Sequence, residues 1–180
     1  MATRHIGIVG CTEESAVLCY RVICHEGSRL MGPNRHPEIT VHTYPQARYD
    51  ECIAAGDWDG VASLMLSSTI KLARAGAELA ICPDNNLHYV FDRVASRSPV
   101  PWLHMIEEVA AEASRHAYAV VGVLGTRQVM ESSLYPATLA TRGIETRVPP
   151  ADDRERIDAI IRGELVQGVV RDSSRDYLAG

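Results

Sequence analysis

Apolar and polar positions along the chain switch repeatedly between a period of two and a period near 3.6, which predicts strands alternating with helices. "HIGIVG" (5–10) is a β-branched run closed by glycine. "CTEESAVLCYRVICHEG" follows with polar starters, then Val17, Tyr20, Val22 and Ile23 near helical spacing, with Cys19 and Cys24 on the stripe expected to face the core. "EITVHTYP" (38–45) is a second strand stopped by proline, and residues 47–76 read as a helix, a Gly-Asp-Trp-Asp break and a second helix ending at Gly76. Residues 77–82 form a third strand, "NLHYVFDRVAS" its helix, "PWLHM" a fourth short strand and "IEEVAAEASRHA" another helix. Alternation of this kind predicts a parallel sheet covered on both faces.

The lettering then restarts. "VGVLGT" (121–126) repeats "IGIVGC" (6–11) position for position in character, and predicts a tandem duplication. A helix over 129–142, a strand "IETRVPP" (144–150) and a helix "DDRERIDAIIRGELVQG" capped by Asp152 or Asp153 continue the second copy. The counterpart of strand 77–82 does not follow; "VVRDSSRDYLAG" opens one more helix, capped by Ser173 or Ser174. The expected architecture is α/β, two pseudo-symmetric doubly wound lobes with parallel sheets, residues 1–118 and 119–180, the second lobe incomplete and the chain truncated, because a missing strand exposes a sheet edge.

Composition narrows the function. The 180 residues are 46% hydrophobic, enough for a packed core, and a net charge of -5 offers no basic stripe for nucleic acid. No run reaches the roughly 20 apolar residues that cross a bilayer, and the N-terminus has no signal-peptide core, so a cytoplasmic protein acting on a small molecule is expected. Five cysteines, all in the first half and without C-x-x-C spacing, argue for reduced thiols and against a zinc site. Lys71 is the sole lysine, which argues against Schiff-base chemistry.

In open α/β sheets ligands sit beyond the carboxyl ends of strands. Four clusters occupy such places: Cys11-Thr12-Glu13-Glu14-Ser15, Tyr44-Pro45-Gln46-Ala47-Arg48, Asp84-Asn85-Asn86-Leu87-His88 and Thr126-Arg127-Gln128. Asp84-Asn85-Asn86 opens a helix, where free N–H groups can seat an anion; the same residues are also ordinary caps. His88 shares a helical face with Asp84 and fits a packed histidine as well as a functional one. Arg48 can clamp a carboxylate or lie solvated, and Thr126 can bind an anion or cap a helix. Cys82, separated from the turn by Pro83, is expected to point away from it, and Cys11 is a candidate thiol at a strand end. The G-x-x-G glycines, with no Walker lysine, give little support to nucleotide binding.

Taken together, "IGIVG", "ESAVLCYR", "SSTIKLARAGAELAICPDNNLH" and "VGVLGT" resemble the aspartate/glutamate racemase family. The resemblance implies a two-lobed, cofactor-independent, metal-free enzyme. A residue after strand three takes the α-proton of an amino acid bound between the lobes, and a group from lobe two returns one on the other face. The family turn Cys-Asn-Thr-x-His puts Asp84 in the place of the thiol, as the catalytic residue. It makes Asn85, Asn86 and Thr126 the anion seat, Arg48 the side-chain-carboxylate clamp, and Cys11 and Thr12 the pocket floor, where Glu13 would disfavour a dicarboxylate; His88 stands behind. The lobe-two thiol turn is absent, so residues 1–180 alone are not expected to racemise. A homodimer is implied. Two other readings stand beside the racemase: a decarboxylase or cis-trans isomerase of a small carboxylic acid, and a catalytically silent carboxylate-binding protein.

Overall fold

Ile8 and Val9 are neighbours on one strand and so point to opposite faces, yet neither is exposed at all. Their strand, β1 (Ile6–Gly10), is the central one of the first unit, with β2 (Ile39–Thr43) and β3 (Leu79–Ile81) parallel to it on either side. The computed structural model describes residues 3–179 and divides into two units, Met1–Met105 and Ile106–Gly180. In the first, α1 (Glu13–Met31) packs on β1 and β2, and α3 (Trp58–Arg74) crosses all three strands with α2 (Gln46–Ala54) against it. The core includes Val9, Tyr49, Val61, Met65, Cys82 and Leu87. The expected fourth strand is a single parallel bridge, Ala80 to Trp102, made by Ala80 N–H to Pro101 O and Leu103 N–H to Ala80 O.

The first helix turns a different stripe inward from the one its spacing predicts. Ala16 and Gly27 are its buried residues, Cys19, Ile23 and Cys24 are half-buried, and Val17, Tyr20 and Val22 are exposed together with Leu18. Close approach selects the small residues: a Cβ built on Gly10 would lie 2.9 Å from Ala16 Cβ and 2.6 Å from Thr43 Cγ2. The glycine spacing therefore serves the packing of α1 and β2 on β1.

After β3 the chain makes a 3-10 turn, Asn86–Val90, and then a short helix α4 (Phe91–Ala95), in place of one continuous helix. His88 fastens this turn to the strand end. Its Nε2–H donates to Cys82 O (3.1 Å), and its ring stacks on Phe91 at 5.5 Å and lies 4.8 Å from His104. Nδ1 is then a buried acceptor with no hydrogen-bond partner among the described residues.

The second unit contains α5 (Met105–Arg115, from Ile106 onward), then β4 (Val120–Gly122) paired in parallel with β5 (Glu145–Arg147). Its main cluster, Ala110, Ala113, Leu139 and Ile144, is smaller than that of the first unit. Among the described residues its sheet has two strands. The helix expected over 129–142 is broken into α6 (Arg127–Glu131) and α7 (Leu134–Ala140). Ser132 takes an extended conformation and its hydroxyl bonds both Val129 O and Leu134 N, the competition with helix backbone that serine offers. Pro150, not Asp152 or Asp153, is the cap of α8 (Ala151–Gly163); the two acids lie in its first turn, where the helix dipole favours them. Ser173 and Ser174 fall inside α9 (Asp172–Ala179) rather than capping it.

Gly10→Ala should lower stability by about 1–3 kcal/mol through overpacking. Gly122→Ala, whose Cβ would meet nothing within 4 Å, should stay within ~0.5 kcal/mol in the same urea titration. Burial holds the His88 ring well below its ordinary value of 6.5, at about 4, with His104 adding to the effect. Between these values the unfolded chain binds a proton that the folded chain does not, so stability falls as pH drops from 6.5 towards 4. The fall is about 3 kcal/mol greater than in His88→Gln, measured by denaturation across that range.

Candidate functional site

The pairing of β1 with β3 ends at Ile8 opposite Ile81. Three residues beyond that pair the two chains deliver Cys11 and Asp84, side by side at the carboxyl edge of the sheet. Asp84 Oδ1 accepts Asn86 N–H (3.0 Å) and Leu87 N–H (3.3 Å), an Asx-type turn that starts the 3-10 helix. The anion held by these backbone donors is therefore the carboxylate of Asp84 itself. Burial raises the Asp84 carboxyl above its ordinary 3.8; the Leu87 and Asn86 N–H groups and the Cys11 thiol pull it back, and the charge of Asp50 pushes it further up.

The thiols beside it respond in the opposite functional sense. Cys11 and Cys82 are both buried, and burial followed by the Asp84 charge drives each thiol far above its usual range, so both remain protonated. Cys82 is buried in the core cluster with Val9 and Leu87, close enough for the Asp84 charge to act on it. Tyr49, the one buried residue of α2, completes the surroundings. Burial raises its phenol as well. Sequence reading passed over Tyr49; an aromatic side chain in a nine-residue polar helix was the available signal.

The other candidates lie elsewhere. The Thr12 hydroxyl caps α1, accepting Ser15 N–H (3.3 Å) and donating to Ser15 Oγ (2.7 Å). Thr126 caps a helix in the second unit in the same way, its Oγ1 accepting Val129 N–H at 3.4 Å, one position earlier in the repeat than Thr12. Asn85 carries the backbone carbonyl that accepts His88 N–H (3.2 Å). Arg48 is exposed, with its guanidinium 4.6 Å from the centre of the Tyr44 ring. It lines a shallow pocket of about 390 Å³ with Tyr44, Glu51, Ser63 and Ser67. Beside that pocket Lys71 donates to Tyr44 Oη (2.8 Å) and to His42 Nε2 (3.1 Å), while Tyr44 Oη bonds Ser67 Oγ (2.8 Å). Lys71 thus rests on a tyrosine and a histidine, and sequence reading had weighed it only as a Schiff-base residue.

Known proteins resemble this chain over most of its length. A crystal structure of a Yersinia pestis protein assigned to the Asp/Glu racemases matches 98% of the chain and 77% of its own, at 30% identity and a TM-score of 0.86. An aspartate racemase homologue from Pyrococcus horikoshii OT3 matches 94% of the chain and 74% of its own, at 30% identity and a TM-score of 0.78. The broad-specificity amino-acid racemase RacX of Bacillus subtilis is 28% identical over 111 residues, 61% of this chain and 47% of RacX, so the match spans about half the length of that relative. The family profile described as Asp/Glu/Hydantoin racemase covers residues 6–180, and the chain, built on parallel α/β units like those of its structural relatives, belongs to that family.

Proposed function

We propose that the protein is an amino-acid racemase of the aspartate/glutamate type, in which Asp84 exchanges a proton with Cα of a small amino acid. One observation carries this reading: a partly buried carboxyl group stands at the carboxyl tip of β3, next to the strand on which the sheet is centred, where burial raises it. Membership of the racemase family and the named activity of RacX support it. A general base works best when its pKa lies near the working pH, and burial moves a carboxyl in that direction.

In the proposed step the Asp84 carboxylate takes the α-proton, and the electron pair left on Cα is delocalised into the substrate carboxylate as an enediolate. Return of that proton restores the starting enantiomer; delivery from a second acid on the opposite face gives the other. The transfer is direct between side chain and substrate, with no cofactor in the scheme. Arg48, stacked on Tyr44 beside an open pocket, is the proposed clamp for a substrate side-chain carboxylate, and Asn85 and Asn86 the neighbours of the reacting carbon. His88 supports the turn from behind through Cys82 O. A homodimer in the cytoplasm belongs to the same proposal, the dimer supported by the apolar face, Val17, Leu18 and Val22, that α1 leaves exposed.

Incubation with single amino acids in D2O tests the reading through the first half-reaction. Deuterium should enter Cα of at least one amino acid, and Asp84→Asn should slow its entry by ~100-fold or more. Decarboxylation without exchange, or binding without exchange, would overturn racemisation in favour of the corresponding alternative. The same substitution has a stability signature. A carboxyl raised in the folded state contributes stability that is present below pH 3.8 and lost as pH rises through the folded value. Asp84→Asn should therefore increase the urea midpoint at pH 7, with the gain shrinking as pH is lowered.

A further inference from the structure

We propose that Lys71 is a specificity-determining residue, the second cation of a carboxylate seat that it forms with Arg48 and the hydroxyls of Tyr44 and Ser67. The inference rests on the reading of Arg48 as the clamp for a substrate side-chain carboxylate, and it makes recognition of that carboxylate depend on the sole lysine of the chain.

Helical spacing builds the groove in which the seat lies. Arg48 and Glu51 stand one turn apart on α2, and Ser63, Ser67 and Lys71 follow one another turn by turn on α3. The first four line the pocket beside Tyr44, and Lys71 reaches that tyrosine from the next turn. Tyr44 gathers both cations: the Arg48 guanidinium lies 4.6 Å and the Lys71 ammonium 4.3 Å from the centre of its ring. Lys71 Nζ spends two of its three N–H groups, on Tyr44 Oη (2.8 Å) and His42 Nε2 (3.1 Å), and the third is left for a ligand. Tyr44 Oη and Ser67 Oγ are 2.8 Å apart. Whichever of the two donates, their bond uses one O–H proton and leaves the other to point at an acceptor.

The charges at this corner do not cancel. Arg29, Arg93, Arg115 and Arg162 each pair with a carboxylate, whereas Arg48 and Lys71 pair with none among the described residues. Glu51 lines the same pocket and pairs with neither of them there. Two like charges drawn to one ring repel each other, and a carboxylate bound between them relieves that cost while accepting the N–H and O–H groups left over. A neutral amide has no charge to offset the cations and brings N–H donors of its own, so the seat selects an acidic amino acid over its amide.

The single lysine makes the test specific, because side-chain NMR of 15N-lysine-labelled chain reports one lysine ammonium. Its signal should shift when aspartate or glutamate is added at millimolar concentration and stay in place with asparagine or glutamine. Lys71→Met should weaken binding of the acidic amino acid on the order of tenfold by calorimetry. Lys71→Arg should recover part of that loss, and Tyr44→Phe, which keeps the ring and both charges but removes the oxygen that positions Lys71, should lose less than Lys71→Met. A lysine signal that stays fixed with both acids, or shifts equally with acid and amide, overturns the proposal, and this measurement needs no variant. Binding of acidic amino acids by Lys71→Met as tight as in the wild type overturns it too. Loss of Cα exchange with the acid-specific shift retained would be a failure of the racemase reading, whereas exchange into an acidic amino acid that is unaffected by Lys71→Met would be a failure of this one.

Discussion

The parallel pairing of β1 with β3 is the constraint on which the candidate site depends, because it brings two distant segments to one sheet edge, with Cys11 buried and Asp84 partly buried there. Gly10 lets β2 and α1 close on β1, and the absence of a side chain there is a condition of that approach. With Val9, Cys82 and Leu87 packed into one apolar cluster, Asp84 begins its turn at the margin of the core. Its carboxylate loses much of its water, and the two backbone N–H groups of the following turn replace part of it. Site and core are therefore one packing problem, in which an ionisable group is held where ionisation is costly.

That cost explains why a carboxylate and a thiol are not equivalent at this tip. Desolvation favours the neutral form of either group. A carboxyl starts low and is carried towards neutral pH, where it can both take and return a proton. A thiol starts higher and is carried out of the useful range, as happens to Cys11 and Cys82. The resemblance puts Asp84 in the place of the family's thiol, and burial raises a carboxyl from a lower starting point than a thiol.

The two units repeat a local grammar but use it with different strictness. Each has a strand, a glycine-containing turn and a threonine that caps the next helix, Thr12 in one and Thr126 in the other. Gly7 is crowded by Ala77 and Leu72, whereas its counterpart Gly122 is open. The second unit presents exposed ion pairs such as Arg147–Glu145 and Arg175–Asp172, which contribute little individually in water. Its smaller apolar cluster leaves the first unit as the one in which buried titratable groups gather.

What the chain determined by itself was whatever depends on near neighbours: the order of strands and helices, the repeated "IGIVG" and "VGVLG" strands, and the position of Asp84 just past a strand. These are legible because hydrophobic period, proline, glycine and capping residues act over a few positions. Tertiary structure alone decided the rest. The stripe of α1 that turns inward depends on Gly10 and Thr43, which belong to other elements. The arrival of Cys11 and Asp84 at one sheet edge, and the lodging of Arg48 on Tyr44 beside Lys71, require segments far apart in sequence to meet. Desolvation and charge act through space, and only the packed strands place those charges within reach of one another.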